Sequence, residues 1–379
     1  MNTKKALEIR LLKIILWVYI ILCFVIAGLN YGYASHAPAS IAAYITWFWA
    51  FYENWIKTLF IILGSVLTLR IVSTSGRTTM RKRNLMGFIT TALIIHIVSP
   101  LVLHNSELYY FAMPIPWGTV PLQLFDSSST FYLSSLSLWG LTGITTALIF
   151  YIFISAIVFL GTLLFGRRWQ CSTLCLFNGF ASEVFSPVFP LVGKHKKAGT
   201  NTLKVFSMVK WLFLAISLFF TFYWVFLLLG LPIEGDPQLI SKIESYKYLS
   251  TELLITMFFW IAFIGRGYCY YCPLGTTLGL LGKVAGQKID TDNTQCLQCN
   301  QCNIVCPMSI DIKSMAQKGQ PVTSLRCVGC GHCVDACSSS TLSYTTSFMT
   351  MMTRNKLTGQ SQAATEIVGN TKGLSQNRN

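Results

Sequence analysis

Eight of the thirteen cysteines in this chain fall into two runs of identical spacing. The first run comprises Cys296, Cys299, Cys302 and Cys306, and the second comprises Cys327, Cys330, Cys333 and Cys337. Each run reads C-x2-C-x2-C-x3-C, in which three thiolates on one tight loop hold three corners of an iron–sulfur cubane. The spacing therefore predicts two [4Fe-4S] clusters as cofactors, with these eight cysteines as the metal-ligating residues.

The fourth cysteine of each run is expected to serve the other cluster, as in two-cluster ferredoxins. Cys337 would then complete the site of the first run, and Cys306 would complete the site of the second run. Two other uses of cysteine fit this pattern poorly. Structural zinc usually takes two C-x2-C pairs, and a disulfide framework needs an oxidising compartment.

Four further cysteines form two pairs that follow a Gly-Arg dipeptide, and each dipeptide follows an apolar stretch. Cys171 and Cys175 lie just after Gly166-Arg167, whereas Cys269 and Cys272 lie just after Gly265-Arg266. The matched contexts indicate an internal duplication of parallel repeats. If the pairs meet, they form a candidate second site for a thiolate-bound metal or iron–sulfur centre, or for a redox-active dithiol. The alternative is that they are buried cysteines that only fill space.

The composition predicts a membrane protein, because 53% of the 379 residues are hydrophobic, only 11% are charged, and the mean hydropathy is +0.53. Six apolar stretches are long enough to cross a bilayer, at residues 11–29, 55–73, 85–103, 138–165, 205–231 and 250–265. The predicted fold class is thus a membrane all-α protein of about six transmembrane helices, with a cytoplasmic C-terminal two-cluster ferredoxin-like module of the small α+β type.

The net charge of +15 comes from short basic blocks beside the apolar stretches. Blocks of this kind are topology signals, so we expect no nucleic-acid partner. The connections at residues 30–54 and 104–137 contain no lysine or arginine, which places them outside and both termini in the cytoplasm. This pattern predicts a multi-pass protein of the cytoplasmic (inner) membrane. The first span could alternatively be a signal peptide, although its apolar stretch is longer than such peptides use.

Four regions follow from these patterns. Residues 1–84 hold the first two membrane helices, 85–288 form a membrane core with the two Gly-Arg…Cys-pair repeats, 289–342 form the ferredoxin domain, and 343–379 form a disordered tail. His96 lies inside the third span. An ionisable residue at that depth is either functional or bonded to a neighbouring helix.

The Cys pairs and the double cluster motif together resemble the membrane polyferredoxins of the NapH, MauN and NosR type, over residues 85–342. This resemblance implies electron transfer between the quinol pool and other redox proteins in anaerobic respiration. The chain departs from the family pattern at two points: Leu176 stands where a proline usually follows the pair, and two residues rather than three separate Cys269 from Cys272.

The sequence therefore predicts an integral membrane iron–sulfur electron carrier that works between quinol and respiratory partners. Whether it is also an enzyme, as a component of a quinol dehydrogenase, stays open, and no catalytic residue is assigned. One alternative is a factor that reduces or delivers a soft metal such as copper during maturation of a respiratory enzyme. The other is a transporter whose ferredoxin module senses redox state.

Overall fold

Helices make up most of the computed structural model, which describes residues 3–73, 77–193, 197–232, 235–292 and 296–354. The α-helices are α1 Thr3–Ala27, α2 Ala39–Phe51, α3 Lys57–Ser73, α4 Thr79–Ala92, α5 Ser99–Leu103, α6 Thr119–Phe125, α7 Thr130–Trp139, α8 Leu141–Phe165, α9 Asn178–Val184, α10 Thr200–Leu228, α11 Pro237–Lys247, α12 Ile255–Ala262, α13 Pro273–Val284, α14 Gln301–Val305, α15 Ile312–Gln317 and α16 His332–Asp335. The strands are β1 Lys288–Thr291 and β2 Leu342–Thr345. A further helix covers residues 347–354.

Short π-helical turns extend several of these helices without a break, at Gly28–Tyr33, Tyr52–Ile56, Leu93–Val98 and Tyr248–Leu254. With these turns included, five helices of the described chain are long and apolar enough to cross a membrane: Lys4–Tyr33, Ala39–Ser73, Thr79–Leu103, Leu141–Phe165 and Thr200–Leu228. Many of their leucine, isoleucine and phenylalanine side chains point outward, as in a bundle surrounded by lipid. The chain is a multi-pass membrane protein.

The sixth predicted span, residues 250–265, is not among these five helices. It belongs to a continuous helix from α11 through Tyr248–Leu254 to α12, which carries charged residues at its centre. Lys247 Nζ lies 2.5 Å from a Glu252 carboxylate oxygen and 3.3 Å from a Glu244 oxygen. These charges lower the apolarity of the helix, but the bundle buries them as mutual partners.

The predicted connection at residues 30–54 is largely helical instead. Helix α2 begins at Ala39 after Pro38 and continues through a π-helical turn into α3, so that one helix covers Ala39–Ser73. No proline interrupts the chain between Pro38 and Ser73, and the apolar residues of α2 continue the pattern of α3. The aromatic residues of this stretch therefore lie on a helix rather than in a loop.

The cysteine-rich end of the chain forms a small module around a two-stranded antiparallel sheet. Lys288 pairs with Thr345 and Thr291 pairs with Leu342, while Ile289 also forms a bridge with Val322. Helices α14, α15 and α16 lie beside this sheet and carry or flank the cysteine runs. The module is thus a small α+β unit, as the sequence predicts.

The tail prediction is wrong for residues 343–354. Strand β2 occupies the first of these residues and a helix occupies 347–354, whereas residues 355–379 lie outside the described part of the chain. Thr346 Oγ1 donates to the Leu164 carbonyl at 2.7 Å, and the Phe348 ring packs edge-on against Phe165. Contacts with the end of α8 therefore order a segment whose composition is that of a flexible tail.

The module contacts one end of the helical bundle, which we call the module end. Tyr344 Oη donates to the Phe165 carbonyl at 2.8 Å, where α8 stops. The Asp335 carboxylate accepts hydrogen bonds from the backbone N–H groups of Met80 and Arg81, at 3.1 and 3.0 Å. Because these are unpaired amides of the first turn of α4, the module supplies the cap of a bundle helix.

Candidate metal centre

The two cysteine runs adopt the same unusual backbone conformation. Gln298 and Asn300 have positive φ angles of 55° and 63°, and Gly329 and Gly331, at the equivalent positions of the second run, have φ angles of 67° and 74°. Three residues after the last cysteine of each run, Ser309 and Ser340 repeat the match, with φ angles of 51° and 62°. The module therefore consists of two copies of one loop, although the residues at these positions differ.

Glycine is needed only in the second run, because that run packs against the bundle. A Cβ atom on Gly329 would lie 2.6 Å from Arg168 Cβ, and one on Gly331 would lie 2.7 Å from Met80 Cγ. Gln298 and Asn300 hold the left-handed conformation with side chains that point into open space. The second run is thus fitted to the membrane helices, whereas the first run faces solvent.

The fourth thiol of each run lies near thiols of the other run. Burial raises the pKa of Cys327, Cys330 and Cys333, and the nearby charge of Cys306 raises each of these pKa values further. We call these four residues the bundle-side site. The remaining cysteines, Cys296, Cys299, Cys302 and Cys337, form the solvent-side site, in which burial and then the charges of Cys299 and Cys337 raise the pKa of Cys302.

The spacing of each run fits a cubane better than a single metal ion, because three thiolates on one tight loop match three corners of such a cluster. All thirteen cysteines are in the described part of the chain and none forms a disulfide.

The structure also brings the other four cysteines together, at the module end. Burial raises the pKa of Cys171, Cys175 and Cys272, and in each case the charge of Cys269 raises the pKa further. We call this group the edge site. Cys171 lies in a π-helical turn, Gln170–Leu174, and Cys272 caps α13.

Each edge thiol with a partner receives a hydrogen bond from nitrogen. Arg167 Nε donates to Cys171 Sγ at 3.2 Å, and Asn178 Nδ2 donates to Cys269 Sγ at 3.1 Å. The Gly275 amide at the start of α13 donates to Cys272 Sγ at 3.3 Å. Donors of this kind offset part of the cost of burying a thiolate, while burial keeps the pKa of Cys171 and Cys272 raised. The edge site is thus a candidate for a soft metal, a cluster or redox chemistry.

Hydrogen bonds connect the edge site to the bundle-side site. Arg167 Nη1 donates to the Leu325 carbonyl at 2.9 Å, and Ser172 Oγ donates to the Val328 carbonyl at 2.8 Å. Gln287 Oε1 accepts a hydrogen bond from the Arg167 backbone amide at 2.7 Å, and Gln287 Nε2 donates to the Cys327 carbonyl at 2.9 Å. The residues beside the edge thiols thus hold the backbone that carries the bundle-side thiols.

Glu183 is a site residue that sequence reasoning missed. Its carboxylate lies 2.6 Å from Arg266 Nη2 and 2.8 Å from His332 Nε2, and its side chain is fully buried. Burial alone would raise the pKa of Glu183, but the charges of His332 and Arg266 outweigh burial and hold the pKa well below its ordinary value. Glu183, Cys330 and His332 present ligand atoms within 4.8 Å of one another. One signal was available, because Glu183 is the only acidic residue between Asp126 and Glu234.

Comparison with known proteins agrees with this geometry. Residues 288–338 match the family described as the 4Fe-4S dicluster domain. The ferredoxin-type protein NapH of Escherichia coli is 33% identical over 100 residues, which are 25% of this chain and 35% of NapH. Over this part the chain is similar to the NapH-like membrane polyferredoxins.

Two other relatives align with a larger part of the chain. Protein RdxA of Cereibacter sphaeroides is 26% identical over 212 residues, 48% of the chain and 42% of RdxA. An uncharacterized protein of Methanocaldococcus jannaschii is 26% identical over 195 residues, 49% of the chain and 75% of that protein. The chain thus spans well under two thirds of NapH and of RdxA. No solved structure matches it. The comparisons thus support [4Fe-4S] chemistry in residues 288–338.

Proposed function

We propose that this polyferredoxin passes electrons between the quinol pool and a respiratory redox partner, through two [4Fe-4S] clusters. The observation that carries the proposal is the continuous arrangement of three thiol groups, from the edge site at the bundle through the bundle-side site to the solvent-side site. Cys171 and Cys330 are both buried, whereas Cys299 at the far end of the series is exposed. A series of this kind suits a path from the membrane to a soluble partner.

The ligand assignment is part of the proposal. Cys306, Cys327, Cys330 and Cys333 hold one cluster, and Cys296, Cys299, Cys302 and Cys337 hold the other. When bound, such clusters carry one electron at a time, over a range of potentials that burial and hydrogen bonds to sulfur adjust. Burial differs between the two sites, because three of the four bundle-side thiols are buried, whereas all four solvent-side thiols are partly or fully exposed.

The edge site is the station of this path nearest to the membrane. Its four thiols hold a third centre or act as a dithiol pair, and Arg167 connects Cys171 to the segment that leads into Cys327. Ser172 Oγ also donates to the Val328 carbonyl beside the bundle-side thiols. These contacts between two thiol sites favour the electron-carrier role over the delivery of a single soft ion such as copper, because a carrier needs its centres close together.

The orientation follows from the basic residues. Arg77, Arg81, Arg167, Arg168 and Lys204 all belong to segments at the module end, whereas the segments 30–54 and 104–137 contain no lysine or arginine. By the positive-inside rule, the module end is cytoplasmic and the protein lies in the inner membrane. The solvent-side site would then meet a cytoplasmic redox partner.

Rapid mixing with a reduced menaquinone analogue tests the proposal. The anaerobically purified protein in lipid nanodiscs should lose its cluster absorbance on mixing, and should recover it when an oxidant is added. A Cys333→Ser variant, which removes a bundle-side ligand, should lose most of this response, whereas Cys23→Ser should keep it because Cys23 lies in α1, away from all three thiol groups. Absorbance that only dithionite can bleach would refute the quinol-linked function.

A further inference from the structure

A cavity of about 410 Å³ lies between the module end of the bundle and the ferredoxin module. This volume is within the range of about 300–1,000 Å³ that small-molecule sites occupy. Its bundle wall includes Val72 at the end of α3, Phe189, and Ile264 just beyond α12. Its module wall includes the bundle-side ligand Cys306. A ligand that enters this cavity from the membrane would therefore lie against the bundle-side site.

We infer that this cavity binds the head group of an isoprenoid quinone. The inference rests on the proposed quinol-linked function and adds the location of the quinone, which neither the sequence nor the comparisons give. The apolar wall of Val72, Phe189 and Ile264 suits a lipid-soluble ring and the beginning of its prenyl chain. The polar wall lies on the side of the thiol sites, where electrons would leave.

Arginine side chains line the cavity wall and supply hydrogen-bond donors. Arg81 donates to Ser186 Oγ at 2.6 Å and Arg266 donates to Glu183 at 2.6 Å. Each guanidinium carries five N–H donors, which are more than these bonds use. Quinone carbonyl oxygens are acceptors without charge, and they would accept hydrogen bonds from such a wall.

The charge balance of the cavity favours a neutral ligand over an anionic lipid head group. Arg77, Arg81 and Arg266 line it together with Asp335. Glu183 neutralises Arg266 from behind, and Asp335 lies beside Arg81. Once the bundle-side site holds its cluster, four thiolates add further negative charge to the module wall. Little net positive charge then remains to attract a phosphate.

Direct binding tests the location without relying on turnover. Heptyl-hydroxyquinoline N-oxide is a fluorescent quinol analogue whose emission is quenched on binding, so it can be titrated with the cluster-loaded protein in nanodiscs. A Val72→Trp variant should weaken binding by about tenfold or more, because the indole occupies the cavity. Arg81→Gln should weaken it by about fivefold or more, because the guanidinium donors at the cavity wall are lost.

The matched control is Val66→Trp, since Val66 belongs to the same helix, is 49% exposed to the surroundings and does not line the cavity. It should bind the probe within about twofold of the unmodified protein. Iron content must be equal in all variants, so that a binding defect is not a folding defect.

Three outcomes would overturn the location. One is unchanged probe binding by a Val72→Trp protein with full iron content. The second is attachment of a photoreactive azido-quinone to peptides remote from Val72, Arg81 and Ile264. The third is an unmodified protein that binds no probe but retains phosphatidylglycerol in an Arg81-dependent manner. Menaquinol reduction of the clusters in the unmodified protein is measured separately, so the location can fail while the proposed function stands.

Discussion

Arg167 Nε lies 3.2 Å from Cys171 Sγ, so a buried guanidinium directly contacts one thiol of the edge site. The same side chain donates from Nη1 to the Leu325 carbonyl of the module, at 2.9 Å. The planar fork of arginine allows both bonds at once, which the single ammonium group of lysine cannot reproduce. One residue of the Gly-Arg motif therefore fixes the module relative to the membrane helices.

Arg167→Lys should loosen this connection without changing the charge. We expect the backbone amides of residues 325–328 to exchange with deuterium about tenfold faster or more, because the docking bonds of Arg167 are lost. Hydrogen-exchange mass spectrometry on the nanodisc protein measures this rate. The control is Arg70→Lys, since Arg70 forms a 3.2 Å ion pair with Glu8 and its side chain is 57% exposed. Equal exchange rates at 325–328 in both variants would contradict the role of Arg167.

Glu183→Gln should destabilise the protein strongly. The substitution leaves the buried Arg266 guanidinium without its counter-charge, and breaking such a pair costs about 3–5 kcal/mol. Thermal unfolding followed by tryptophan fluorescence measures the loss. Glu8→Gln, at the partly exposed pair with Arg70, should cost about 1 kcal/mol or less. The double variant Glu183→Gln with Arg266→Gln should recover part of the stability, whereas strictly additive losses would show that the two charges are not coupled.

Gly331→Ala and Asn300→Gly test the equivalence of the two cysteine runs. Both positions adopt positive φ angles, of 74° and 63°. An alanine at 331 would be strained in this conformation, by about 1–2 kcal/mol, and its Cβ would also meet Met80. We expect Gly331→Ala to lower iron content and melting temperature, and Asn300→Gly to leave both nearly unchanged. Equal effects at the two positions would mean that docking on the bundle does not distinguish the runs.

The stability of the protein should depend on pH through Glu107, which lies at the end of the bundle away from the module. Burial raises its pKa from the ordinary value of 4.5 to about 7, against a hydrogen bond from Tyr109 that lowers it. Between pH 4.5 and about pH 7 the folded protein keeps a proton that the unfolded chain has lost. The free energy of unfolding therefore falls as pH rises, by up to about 3 kcal/mol.

The melting temperature should accordingly decrease from about pH 5 to about pH 8 in the unmodified protein. Glu107→Gln cannot ionise, so its melting temperature should change less over the same interval and should be the higher of the two at the alkaline end. A melting temperature that rises with pH in the unmodified protein relative to this variant would contradict the assignment.

Spacing along the chain predicted the local features of this protein well. The two cysteine runs and the apolar stretches are contiguous signals, because a cubane loop and a membrane helix are each built from neighbouring residues. The Gly-Arg…Cys repeats also predicted correctly that Cys171 and Cys269 belong to one end of the bundle. The sixth span, residues 250–265, lies in a longer helix that begins at Pro237, and local apolarity did not reveal the buried charges of Lys247 and Glu252 in that helix.

Features that depend on distant contacts were not predictable in the same way. Residues 343–354 have a flexible composition, yet Thr346 and Phe348 bind the end of α8. Glu183 became significant only when the fold placed it between Arg266 and His332, which lie 83 and 149 positions away in the chain. Gly329 and Gly331 are needed where the second run meets Arg168 and Met80, and the sequence did not identify this bundle surface.

Iron and acid-labile sulfide analysis of the anaerobically purified protein, combined with electron paramagnetic resonance after addition of a reduced menaquinone analogue, tests the central claim most directly. The account predicts about eight irons from the two module sites, more if the edge site holds a cluster, and the spectrum of reduced [4Fe-4S] centres on quinol addition. About four irons or fewer in a fully folded protein, or a spectrum that appears only with dithionite, would contradict it.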